Sequence, residues 1–176
     1  MIRYALTYGI LAGIVVTGVL ISGIVFAEQW KFVRTEWFGY LVMLVALTFI
    51  FVGVKRYRDV DHGGVIRFGR ALAMGLFIAL VAGVAYVLVW EIYLAATHYA
   101  FMDQYIAGII RAKKAAGVSG AALARLVAEL DAMRTAYANP LFRIPMTFME
   151  IAPVGLIVSL VSAALLRNPR VLPATR

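Results

Sequence analysis

Glu91 and Glu150 are the charged side chains that fall inside the long apolar runs of this 176-residue chain. A carboxylate in hydrocarbon costs on the order of 2.5–3.5 kcal/mol at mid-span and less near an edge, so it needs a partner, a proton or a water-filled cleft. His98 follows Glu91 by seven residues and Arg143 precedes Glu150 by seven, an interval that returns to one helix face. Pro153 lacks the N–H that would bond the Met149 carbonyl, which favours a kink beside Glu150, and Pro145 lies shortly before it. With Glu28, Glu36 and Asp103 in the adjoining connections, these residues describe an acidic cleft for a cation, a cationic metabolite or a proton. The same residues suit a purely structural arrangement. In that reading Glu91 pairs with His98 or an outer arginine and Glu150 with Arg143, and the pairs fix the helices. One geometric point favours it: Glu150 projects roughly opposite Gly155, Ser159 and Ala163, toward Val154, Ile157 and Val161.

Other chemistries find no residues to carry them. There is no cysteine, which removes disulfides, thiol catalysis and cysteine metal sites. His62 and His98 are too few for a histidine-only metal centre. Asp59, Asp61 and His62 sit together in a short segment ended by Gly63-Gly64 and read as a solvated turn. Gly63-Gly-Val-Ile-Arg-Phe-Gly69 lacks the preceding strand a dinucleotide-binding loop requires. No nucleophile stands with a base, so neither an enzyme activity, a metal nor a cofactor is expected.

The elements that must position the two acids are membrane spans. Hydrophobic residues make up 64% of the chain and the mean hydropathy is +0.90, well above a soluble domain. Apolar runs extend over about 4–27, 37–54, 71–96 and 142–166, the last two each holding one interior acid, Glu91 and Glu150, with Arg143 at the start of the fourth. The first run is too long for a signal-peptide core, although Val25-Phe-Ala27 resembles a cleavage site, and it reads as a retained span. Trp30, Trp37 and Tyr40 stand where an aromatic belt belongs, and Lys55-Arg-Tyr-Arg-Asp59 closes the second helix. Lys55, Arg56, Arg58, Arg67 and Arg70 outnumber Lys31 and Arg34 of the first connection, while Arg3, Arg167, Arg170 and Arg176 mark the termini. The positive-inside rule then puts both termini in the cytoplasm of a multi-pass inner-membrane protein. The formal charge of +8 follows from these flanking residues and implies a lipid bilayer, not nucleic acid, as the partner. Counting about twenty residues per crossing places Glu91 near the outer boundary and Glu150 about one turn inside it.

The connection from about 99 to 139 is expected to be a helical hairpin outside the membrane. Met102, Tyr105, Ile106, Ile109 and Ile110 form one apolar stripe, and Leu123, Leu126, Val127, Leu130, Met133 and Tyr137 another. Gly117 is a natural stop, Ser119 a natural cap, and Asn139-Pro140 ends the second helix. Small residues recur in the spans at Gly9 and Gly13, at Ala71, Gly75, Ala79 and Gly83, and at Gly155, Ser159 and Ala163. Such ladders let backbones approach within a bundle, and serve a homodimer or a membrane-protein partner equally well.

Lys55-Arg-Tyr-Arg-Asp59, Gly63-Gly-Val-Ile-Arg-Phe-Gly69, Asn139-Pro-Leu-Phe-Arg143, Glu150-Ile-Ala-Pro-Val-Gly155 and Ser159-Leu-Val-Ser-Ala-Ala-Leu-Leu-Arg167 occur in that order. Together they make the chain resemble a bacterial family of small membrane proteins, domain of unknown function 4199. The resemblance implies a polytopic membrane protein and brings no activity, cofactor or substrate. The expectation is an all-α, single-domain, four-helix membrane bundle with an outer hairpin. It acts without catalysis through a partner or its own oligomer, or else as a small carrier using Glu91, Glu150, His98 and Arg143.

Overall fold

The computed structural model describes residues 1–25 and 36–174. The side chains of Trp30, Trp37 and Tyr40, Glu28 and Glu36, the small-residue site at 25–27 and Arg176 lie outside what is described. Among the described residues the chain is all-α, with six helices and no strand: α1 (Ile2–Val25), α2 (Glu36–Asp61), α3 (Phe68–Ala96), α4 (Ala100–Ala115), α5 (Gly120–Ala138) and α6 (Pro140–Leu166). Ile2–Gly23, α3 and α6 are each long and apolar enough to cross a membrane, with hydropathies of 2.0, 2.6 and 2.1. A helix suits such a segment because it satisfies every backbone polar group internally. The chain divides into two compact units, Met1–Val89 with Phe148–Arg176, and Trp90–Thr147.

In the first unit one apolar core draws on four helices. It holds Ala5, Ala12 and Val16 of α1, Leu47, Ile50 and Val54 of α2, Met74, Ile78 and Ala82 of α3, and Ile151, Ala163 and Leu166 of α6. Glycines set the closest approaches. A Cβ on Gly9 would meet Val81, and one on Gly13 would lie 2.6 Å from the Ala85 Cβ and 2.9 Å from the Ala82 carbonyl. These pairings advance together, so α1 and α3 run parallel. Gly75 faces Ser159, Gly155 faces Ala79, and Gly83 faces the Phe148 ring, so α3 and α6 run antiparallel. Buried hydroxyls in this core satisfy themselves on their own helix, Thr17 on the Gly13 carbonyl and Ser159 on the Gly155 carbonyl, each at 2.7 Å.

The basic cluster does not close α2, contrary to the expectation from its charge. The helix continues through Lys55–Asp59 to Asp61, because Lys55 and Asp59 pair at 2.6 Å one turn apart and cations suit a helix C-terminus. Termination falls to Gly63 and Gly64, at φ 58° and 87°. Gly64 N–H then reaches back to the Arg58 carbonyl at 3.0 Å.

In the second unit α4 and α5 pack through Met102, Ile106 and Leu130, flanked by Ile109, Ile110, Leu126, Met133 and Tyr137. Gly117, at φ 86°, ends α4: its N–H bonds the Lys114 carbonyl and Val118 N–H bonds that of Lys113, both at 3.0 Å. Ser119 occupies the cap position of α5, but its side chain makes no capping bond, its extended backbone (φ −148°) alone turning the chain into the helix. The cap that does form is at Asn139, whose Oδ1 accepts from Leu141 N–H at 3.0 Å. With Pro140 at the first helical position, α6 therefore starts two residues before the apolar run at 142.

Candidate functional site

Arg143, only 3% exposed, organises the second unit. Its Nε and Nη2 donate to Glu91 Oε1 and Oε2, both at 2.7 Å. Its Nη1 donates to the Tyr137 carbonyl at 3.0 Å and the Ala138 carbonyl at 3.4 Å. One guanidinium thus ties the end of α3 to the last turn of α5, whose final carbonyls have no helical partner of their own. The rings of Tyr99 and Tyr137 lie 5.3 and 5.7 Å from its carbon. Tyr137 also accepts a hydrogen bond from Trp90 Nε1 at 2.9 Å. A fork-shaped cation is needed for such a junction; a lysine could not serve the carboxylate and the carbonyls at once.

His98 is not on the face of Glu91. α3 ends at Ala96, and His98 and Tyr99 take left-handed backbone conformations at φ 51° and 58°, so the seven-residue helical interval never reaches the histidine. Two successive non-glycine residues there cost roughly 1–2 kcal/mol each. The conformation turns His98 and Tyr99 onto a cavity of about 360 Å³ that they line with Leu94, Met102, Asp103, Arg134, Tyr137, Ala138, Pro140 and Arg143. Arg134 Nε meets Asp103 Oδ1 at 2.7 Å on its rim. His98, Arg134 and Arg143 line it with one acid, Asp103. The unfilled helical rule explains the error over His98. Arg134 was legible only as an arginine three residues before Tyr137 of the α5 stripe, too common a spacing to single out.

Glu150 has a different partner from Glu91. Tyr86, itself buried, donates to Glu150 Oε2 at 3.0 Å, and α6 continues as helix through Pro145 and Pro153. The carboxylate-bearing residue is exposed, beside the exposed Met149. Among the described residues no three histidine, aspartate, glutamate or cysteine side chains are grouped as metal ligands.

A further cluster, in the first unit, escaped the sequence reading. Arg58 is fully buried and donates from Nε to Asp59 Oδ1 at 2.7 Å, from Nη1 to the Val171 carbonyl at 2.9 Å and from Nη2 to the Leu172 carbonyl. Burial raises the pKa of Asp59, but the hydrogen bonds from Arg58 and Lys55 prevail and hold it below the ordinary value. Asp61 accepts from the Tyr4 hydroxyl at 2.8 Å, and His62 stands edge-on to Tyr57 with ring centres 4.7 Å apart. The segment read as a solvated turn is thus a packed corner where the start of α1, the end of α2 and the C-terminal segment meet. Nothing in a Lys-Arg-Tyr-Arg-Asp string tells which arginine turns inward.

The profile of one family matches residues 7–168, nearly the whole chain. The chain belongs to the family described as protein of unknown function DUF4199. No curated protein and no solved structure matches it. Membership in DUF4199 agrees with the five sequence segments that suggested it, and each carries residues now seen in place, among them Arg58 and Asp59, Gly63 and Gly64, Asn139 and Arg143, Glu150 and Gly155, and Ser159.

Proposed function

We propose that the chain is a non-enzymatic, four-span protein of the bacterial inner membrane, with both termini cytoplasmic, acting through a membrane-protein partner or its own oligomer. The observation that carries this reading is the Glu91–Arg143 junction. The acid a carrier would need is bonded through both oxygens to a buried arginine whose other donors hold the end of α5. It serves as a brace, and the α4–α5 hairpin it steadies is the element offered outside the membrane.

The topology is supported by the corner around Arg58. The Tyr4–Asp61 and Arg58–Val171 bonds gather the start of α1, the end of α2 and the segment after α6 at one end of the first unit. This supports reading α2 as returning the chain to the side from which α1 set out, a fourth crossing. Arg3, Arg56, Arg67, Arg70, Arg167 and Arg170 belong to the same end, as the positive-inside rule requires of a cytoplasmic face. Exposed Leu76, Leu80, Val84 and Leu88 recur every four residues along α3 and suit contact with acyl chains.

One observation favours the carrier reading instead: Glu150, inside an apolar run, is exposed and held only by a tyrosine hydroxyl among the described residues. The test is common to both. Glu91→Gln and Glu150→Gln chains are compared with wild type in proteoliposomes for proton and cation flux, and in micelles for stability and oligomer size. The proposal expects no flux from any of them, with Glu91→Gln lowering stability or assembly. Saturable, pH-dependent flux that either substitution abolishes in a folded protein would reject it in favour of the carrier.

A further inference from the structure

We propose that the cavity of the Trp90–Thr147 unit binds the phosphate group of a small ester, carried either on a soluble metabolite or on a lipid headgroup. The argument starts from the donors. His98, Arg134 and Arg143 line the cavity against a single acid, Asp103. Two helices also begin on it: Tyr99, Met102 and Asp103 stand at the start of α4, and Pro140 and Arg143 in the first turn of α6. Helix N-termini carry partial positive charge and favour anions, and α4 has no side chain capping it.

Arg143 is not the residue that grips, since Glu91 and the α5 carbonyls engage all three of its nitrogens. Arg134 supplies the grip. It meets Asp103 through Nε at 2.7 Å. The Arg134 and Asp103 side chains are 57% and 56% exposed, so their pairing is weak and readily exchanged. Asp103 therefore acts as an internal stand-in for the ligand's oxyanion. The volume, about 360 Å³, exceeds a bare phosphate and leaves room for an organic body against Leu94 and Met102. The left-handed backbone at His98 and Tyr99 is the cost of presenting an imidazole and a phenol to that space.

The test uses the full chain. In an uncharged maltoside detergent it is titrated with inorganic phosphate by calorimetry. Separately, it is placed in nanodiscs mixing phosphatidylglycerol with phosphatidylcholine, and the lipid it retains is measured. Saturable binding of at least one probe is expected, weakened at least about tenfold by Arg134→Ala and tightened by Asp103→Asn, which removes the competitor. Saturation by phosphate assigns the site to a soluble ester; retention of phosphatidylglycerol without phosphate binding assigns it to a headgroup. Failure of both probes overturns the proposal. So does binding that ignores Arg134→Ala or is weakened by Asp103→Asn. Both substituted side chains are exposed, so circular dichroism should report an unchanged helix content in each variant.

Discussion

Among the described residues two arginines, Arg58 and Arg143, are buried, and each is held by the same logic. A guanidinium withdrawn from water needs replacement partners, and each engages all three of its nitrogens with one carboxylate and two backbone carbonyls. For Arg58 the carbonyls belong to Val171 and Leu172, so the residue latches the C-terminal segment to the end of α2. Arg58→Ala is expected to destabilise the protein by about 3 kcal/mol in denaturant unfolding and to open the segment after 167 to protease. Arg58→Lys should rescue little, since an ammonium on a thin stem cannot reproduce the fork. An undiminished midpoint in Arg58→Ala would dismiss the latch. Asp59 adds a pH dependence whose sign is set by its lowered pKa. The unfolded chain binds the proton more readily, so the stabilisation is complete above the ordinary aspartate value of 3.8 and is lost as pH falls through the lower folded value. An acid titration of the unfolding midpoint from about pH 6 to about pH 3 should show a steeper loss in wild type than in Asp59→Asn.

At the scale of helices, close approach is decided at particular glycines. Gly13 and Gly18 share α1, yet a Cβ on Gly13 would strike Ala85 and the backbone of α3, whereas one on Gly18 would meet nothing within 4 Å. Gly13→Ala should therefore cost about 1–3 kcal/mol, and Gly18→Ala should be neutral or gain a few tenths through helix propensity. Equal effects in parallel unfolding titrations would mean that α1 does not pack on α3 through this face. Asn139→Ala should remove about 1 kcal/mol by leaving Leu141 N–H uncapped, while Ser119→Ala, whose hydroxyl makes no cap, should be silent. These contrasts mark how far the sequence could be read. Small-residue ladders, apolar stripes and the Gly117 stop are local signals, and local physics places them well. Which ladder faces which helix and whether Ser119 or Asn139 caps depend on partners brought together from distant parts of the chain. His98 is the clearest case: a seven-residue interval from Glu91 is meaningful only while the helix lasts, and it ends at Ala96. Glu91 and Arg143, fifty-two residues apart, were both singled out, Arg143 as a partner for Glu150, but only the fold shows that it pairs with Glu91.

For the whole molecule, the proposed four crossings and an alternative with three differ in where two exposed positions fall. Val60, 64% exposed near the end of α2, belongs to the corner that holds Tyr4, Asp61 and Arg58. If α2 crosses, Val60 shares the cytoplasmic side with the N-terminus, and the turn at Ser119 between α4 and α5 lies outside. If α2 does not cross, α1 leaves Val60 outside and α3 carries Ser119 back in, so both positions exchange sides and the termini part company. The lack of cysteine makes this directly measurable, since each introduced thiol is the sole one in the chain. In intact cells a membrane-impermeant maleimide should label Ser119→Cys at once and Val60→Cys only after permeabilisation. The reverse pattern would remove α2 as a span, and with it the Tyr4–Asp61 contact, because a bond of 2.8 Å cannot join residues on opposite faces of a bilayer about 30 Å thick. The labelling thus tests the topology and the packed corner together, and the corner makes the stronger demand: Tyr4→Phe, which breaks that bond without moving a helix, should leave the labelling pattern unchanged while lowering the unfolding midpoint by no more than about 1 kcal/mol.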